Sequence, residues 1–74
     1  MGETNEQKAT RFKRLATKRT NIVLDRIRVL GNCANRNAYE YSEADVNRIF
    51  SEIERRVKET RSKFYFAKDK EFKL

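Results

Sequence analysis

The chain has 74 residues and carries 18 Lys plus Arg against 11 Asp plus Glu, a net charge of +7, with one cysteine, no histidine and no proline. One cysteine closes no internal disulfide, and a structural zinc site draws on Cys and His ligands that this composition does not supply. Chains below roughly 80 residues rarely stabilise themselves without such aids or a partner, so self-association is the first expectation.

No apolar run reaches the length of a membrane span, and no signal-peptide core is present. Met1-Gly2 is followed by Glu6, where the myristoylation pattern has Ser or Thr. A lone free cysteine fits a reducing compartment. The expectation is a soluble, cytoplasmic protein with no membrane association and no cofactor. Its charge is uneven. Residues 1–39 hold nine basic and three acidic residues, net +6, whereas residues 40–74 hold nine and eight, net +1. Such asymmetry points to one element that meets a polyanion and another that balances its own charge.

The first predicted element is a helix over residues 6–30. Phe12, Ala16, Val23, Ile27 and Leu30 recur at steps of three, four or seven, and Leu15, Ile22 and Val29 form an adjacent row. Gly31, the only glycine after Gly2, suits the left-handed position that ends a helix. A loop over 31–41 comes next. A second helix then starts at about residue 42. Ser42 and Asp45 form a capping-box pair, Tyr41 and Val46 are placed as a hydrophobic staple, and Glu43 and Asp45 favour the helix N-terminus. Val46, Phe50, Ile53, Val57, Thr60 and Phe64 alternate in steps of four and three, an a/d seam widened by Ile49. Glu52 with Arg56, Glu54 with Lys58, and Glu59 with Lys63 are i,i+4 pairs in the favourable order. This helix is expected to run to about residue 67, with a frayed tail over 68–74.

Two helices of similar length joined by about a dozen residues predict an all-α, single-domain antiparallel hairpin. One hairpin leaves part of each apolar face wet. Two hairpins packed as a four-helix bundle cover it, so the expected state is a homodimer. Its core seam is formed by Val46, Ile49, Phe50, Ile53, Val57 and Phe64.

Catalytic constellations are missing from the sequence. It has no histidine to act as base, no glycine-rich phosphate loop, and no Cys-His or Ser-His-Asp set. The chain is expected not to be an enzyme. The basic run over residues 8–28 is the better candidate. Arg11, Arg14 and Lys18 fall on one side at i, i+3 and i+7, and Lys8, Lys13, Arg28 and, in the loop, Arg36 extend the charge. Cations in such a stripe neutralise backbone phosphates without reading bases. An ordinary solvated helix face is the alternative, although a face built only for solubility mixes signs. Arg19 and Arg26 differ, because they lie one heptad apart within the apolar arc. A guanidinium there must snorkel outward or find a carboxylate, from the second helix or from a second copy.

The connecting segment LGNCANRNAYEYSEAD supports two readings. Asn32, Asn35 and Asn37 suit turns, Tyr39 suits the open end of a core, and Cys33 suits burial as a small hydrophobe, all as parts of a hinge. Asn-Arg-Asn followed by tyrosine also suits contact with single-stranded or irregular nucleic acid.

The span from Arg11 to Phe64, above all LGNCANRNAYEYSEADVNRIFSEIE, resembles a group of small, uncharacterised basic proteins of Gram-positive bacteria and their mobile elements and phages. Leu30-Gly31-Asn32 and the helix after it are also similar, more faintly, to plasmid mobilisation accessory proteins. The resemblance implies a mobile-element context and transfers no site. The first functional expectation is a non-enzymatic, dimeric accessory protein that binds DNA or RNA through its first helix. The second is a small inhibitor or adaptor of a nucleic-acid-processing enzyme, in the manner of anti-CRISPR proteins. A purely structural dimer is a third.

Overall fold

A computed structural model of the chain describes residues 2, 4–66 and 74. It is all-helical: among the described residues there are two α-helices, one 3₁₀ turn and no strand. The chain divides into two units, Met1–Tyr39 and Glu40–Leu74.

The first unit is built on α1, Asn5–Gly31. Thr4 caps it. Its hydroxyl accepts the Gln7 N–H at 3.2 Å, and the Gln7 side chain accepts the Thr4 N–H at 3.0 Å. This capping box satisfies two of the donors that a helix N-terminus leaves without partners. It begins the helix one residue before the predicted start. At the other end Gly31 does not adopt the left-handed conformation expected of it. It is right-handed helical, with φ −58° and ψ −24°, and it is the last residue of α1. The Asn32 N–H donates to the carbonyls of Leu30 and Val29, so the chain tightens into a 3₁₀ turn over Asn32–Ala34. A bifurcated bond of this kind takes up the terminal carbonyls without a chain reversal.

Asn35 organises the next turn. Its side-chain oxygen accepts the Asn37 N–H at 3.0 Å. Its carbonyl accepts from Ala38 at 3.1 Å and from Tyr39 at 2.9 Å. The Asx-type bond and the carbonyl contacts close a turn over residues 36–38.

The second unit is built on α2, Glu43–Arg61. Its N-terminus is the one read from the sequence. The Ser42 hydroxyl accepts the Asp45 N–H at 3.0 Å, and the Asp45 carboxylate accepts the Ser42 N–H at 3.2 Å. Hydrogen bonding to its carboxylate from the Ser42 backbone, and then from the Ser42 side chain, holds the Asp45 pKa below its usual value. Tyr41 and Val46, the two staple residues, are half-buried although the residues between them are exposed.

The helix ends at Arg61, short of the predicted residue 67. The Ser62 hydroxyl donates to the Glu59 carbonyl at 2.6 Å, taking the acceptor that the Lys63 N–H would use if the helix continued. Lys63 and Phe64 bond instead to the carbonyls of Thr60 and Arg61, both at 3.1 Å, three residues back. The aromatic run Phe64-Tyr65-Phe66 then lies outside the helix, in keeping with the modest helix propensity of aromatic residues. Phe64 is therefore not a helical member of the seam. The tail expected over 68–74 falls outside the described residues except for Leu74.

The charged surface of α2 is laced by a network centred on Glu52 and Arg55. Arg55 Nε donates to Glu52 Oε2 at 3.1 Å, Arg55 Nη1 meets Glu59 at 2.7 Å, and Arg56 Nε meets Glu52 at 3.0 Å. Of the three i,i+4 pairs predicted, only Glu52–Arg56 forms among the described residues. Glu59 pairs with Arg55 rather than Lys63, because Lys63 lies past the helix end where i,i+4 geometry is lost. Glu54 and Lys58 form no ion pair among the described residues.

The network has a pH signature. Hydrogen bonds from Arg55 and then Arg56 lower the Glu52 pKa from 4.5 to about 2. A carboxylate whose folded pKa is depressed adds stability above its unfolded pKa and loses it as pH falls through the folded one. Helix content, followed by circular dichroism, should therefore decline slightly, since these pairs are more than half exposed, as pH drops from 4.5 toward about 2, and Glu52→Gln should flatten that limb. Separately, Gly31 is right-handed and a Cβ built on it meets nothing within 4 Å. Gly31→Ala should thus raise stability by about 0.4–1 kcal/mol in thermal melts. A loss of that size would restore the left-handed assignment.

Candidate nucleic-acid interface

A helix advances about 100° per residue, so positions three, four and seven apart share a side. On α1 this brings Arg11, Arg14 and Lys18 together in one exposed stripe with Asn21, and carries the same line on to Asp25 and Arg28. Lys8 lies about 60° from Arg11, within the apolar arc and in line with Arg26, and Lys13 lies about 100° from Arg14 on the opposite flank. The seven candidate cations are therefore not one patch. Arg11, Arg14 and Lys18 form its centre, Lys8 adjoins it, and Lys13 faces elsewhere.

The charges also differ in their engagement. Arg28 is paired with Asp25, Nη2 to Oδ1 at 2.9 Å and Nε to Oδ1 at 3.3 Å. Both side chains are more than half exposed, and an exposed pair of this kind contributes little to stability. Its consequence is to neutralise the far end of the stripe. Lys8, Lys13, Arg14 and Lys18 have no carboxylate within ion-pair distance among the described residues. A shallow groove runs beside Glu6, Gln7, Thr10, Arg11 and Arg14. It is open along the helix surface. Arg36 stands in the turn over 36–38, beyond the helix.

Arg19 and Arg26 are exposed and without a carboxylate partner among the described residues. Exposed to water, they need no carboxylate within the first unit. Around them the apolar side chains are uncovered: Phe12 is 56 %, Ile22 50 % and Val23 53 % exposed, and only Leu15, Ala16 and Leu30 are half-buried.

In the connecting segment the Asn35 side chain serves the backbone, as the hinge reading expects of it. Two expectations for that segment are corrected. Cys33 is exposed, because it lies in the 3₁₀ turn with no packed layer over it. Tyr39 is 55 % exposed. Among the described residues no cluster of His, Cys, Asp and Glu is placed to hold a metal ion. No described helix is long and apolar enough to cross a membrane.

Thr4 and Gln7 contribute although apolar periodicity gives no sign of them. They position the N-terminal end of the stripe, and the pattern Thr-x-x-Gln is the signal that announces them.

Comparison with known proteins returned no matching family model, no matching curated protein and no matching solved structure.

The segment's role is separable by mutation. Asn35→Ala removes the acceptor of the Asn37 N–H and should loosen the turn, costing about 0.5–1.5 kcal/mol. Arg36→Ala should cost less, because the side chain and carbonyl of Asn35 close the turn. The reverse order in thermal melts would mean that the turn is held by Arg36.

Proposed function

We propose that this protein is a non-enzymatic nucleic-acid-binding accessory protein, which grips phosphates through the exposed face of α1. The observation that carries the reading is the excess of cations on that helix. Over Asn5–Gly31 eight basic residues face only Glu6 and Asp25, and Asp25 is taken by Arg28. A surface meant only for solubility intersperses the two signs, as α2 does, whereas a face that releases counterions from phosphates needs more cations than its own acids can neutralise. Arg11, Arg14 and Lys18 form the contact line, Lys8 widens it, and Thr10, Thr17 and Asn21 add neutral donors. Contacts of this kind set position and affinity but carry no base information. The mobile-element context rests on the resemblance of residues 11–64.

The same reading makes the protein a dimer of antiparallel hairpins, packed as a four-helix bundle. Support comes from the apolar residues at helical spacing on both helices, which lack cover within each unit. Burying them would remove the largest apolar side chains from water at about 25 cal/mol per Å². Arg19 and Arg26 would there meet carboxylates of α2.

A salt titration of binding to a labelled oligonucleotide, read by fluorescence anisotropy, tests the function. Each phosphate neutralised on duplex DNA adds about −0.9 to the log–log slope, so about four contacts per α1 give a slope near −3.6. Replacing Arg11, Arg14 and Lys18 together by Gln should flatten the slope and weaken binding to all sequences alike, with helix content retained. A flat slope in the parent would transfer the assignment to the second class, a protein that docks on a nucleic-acid-processing enzyme.

A further inference from the structure

The charges of α2 are segregated along its length. Glu43, Asp45, Glu52 and Glu54 stand against Arg48 alone over residues 43–54, net −3. Arg55, Arg56, Lys58 and Arg61 stand against Glu59 over residues 55–61, net +3. The network of Glu52, Arg55, Arg56 and Glu59 pairs those four charges within the helix, whereas Glu54 and Lys58 form no ion pair among the described residues. The two ends also lack partners. Glu43 and Arg61 have no opposite charge within ion-pair distance among the described residues. They are 18 residues apart, five full turns, so they lie on one flank of the helix at its opposite ends. That flank borders the apolar seam next to Phe50, which is 47 % exposed.

We infer that the α2 seam is covered by α2 of a second copy running antiparallel, with Glu43 of each chain against Arg61 of the other. The inference rests on the dimer proposed above and adds its interface and direction. A two-fold axis perpendicular to both helices keeps like flanks together and reverses direction, which sets the acidic half of one helix against the basic half of the other. It satisfies both terminal charges at once. The helix dipoles favour the same arrangement. A parallel pair would oppose −3 to −3 and +3 to +3. In the hairpin proposed above the chain's own α1 sets its basic N-terminal half beside the basic half of α2, so Arg61 is left to the second copy. In the antiparallel α2 pair, a residues meet d residues across the axis. Phe50 packs on Ile53 of the second copy, and Val46 packs on its Val57. The seam is then closed around a centre near Ser51, with Arg61 at the level of the other chain's Glu43.

Charge reversal tests this directly, because residues 43 and 61 of one chain are too far apart to meet. Glu43→Arg and Arg61→Glu should each raise the dimer dissociation constant, by about two- to thirtyfold for two symmetry-related exposed contacts. The double reversal should restore it. Both changes oppose the helix dipole, so a mere loss of helix stability makes the double variant the worst of the three; that ranking would overturn the inference. Orientation is read separately by spin labels at Ser51→Cys or Ala44→Cys in a Cys33→Ser background, without nucleic acid. Antiparallel pairing sets the labels at position 44 on the order of 20 Å further apart along the axis than those at 51. Equal distances at both sites would mean a parallel pair and would overturn the inference while leaving the dimer intact. Absence of any intermolecular distance, with a monomer in sedimentation, would overturn both, and the phosphate-binding reading would still be decided by its own salt titration.

Discussion

The constraint on which everything else depends is that this chain carries apolar faces it does not cover within either unit. No described residue is buried, although Phe12, Ile22, Val23, Ile49, Phe50 and Val57 recur at the spacing of helix interiors. Helices gain most of their stability in proteins from packing an amphipathic face, because nucleation is unfavourable and isolated segments are marginal in water. The capping boxes at Thr4 and Ser42 delimit two helices and supply local support. The remaining stability has to come from covering these faces, which the reading proposed here assigns to association with a second copy.

Against this shared need, the two helices treat charge in opposite ways. On α2, Glu52 and Glu59 are drawn to Arg55 and Arg56, and the Glu52 pKa falls accordingly. On α1, Arg28 has its carboxylate, whereas Lys8, Lys13, Arg14 and Lys18 have none within ion-pair distance among the described residues. A single charge-balanced surface would have served solubility alone. The division of labour proposed here assigns assembly to the helix whose charges complement a second copy of itself, and polyanion contact to the helix whose cations outnumber its acids.

Much of the local structure was legible in the residues because it depends on local physics. Ser42 and Asp45 marked the start of α2 through a reciprocal pair of hydrogen bonds that needs no tertiary context. The same motif at Thr4 and Gln7 was equally legible, but it precedes the first apolar repeat at Phe12, so periodicity alone gives no hint of it. Gly31 misled because glycine permits a left-handed cap without requiring one, and the Asn32 N–H found carbonyls behind it instead. The end of α2 was hidden for a related reason. The apolar period continues to Phe64, whereas the competition between the Ser62 hydroxyl and the Lys63 N–H for the Glu59 carbonyl is invisible to periodicity. In the candidate site, the stripe of Arg11, Arg14 and Lys18 came from helical spacing alone. The capture of Arg28 by Asp25 at i,i+3 did not, since the sequence equally allowed Arg28 to reach outward.

Helix formation in this chain is, on this view, coupled to covering the apolar faces. Far-ultraviolet circular dichroism across a wide dilution series tests that coupling most directly. Helix content and the thermal midpoint should both fall as the protein is diluted, because mass action removes the partner that covers the seam. Cooperative melting at a midpoint independent of concentration would show that the single chain buries its own faces, and the coupling would then be refuted.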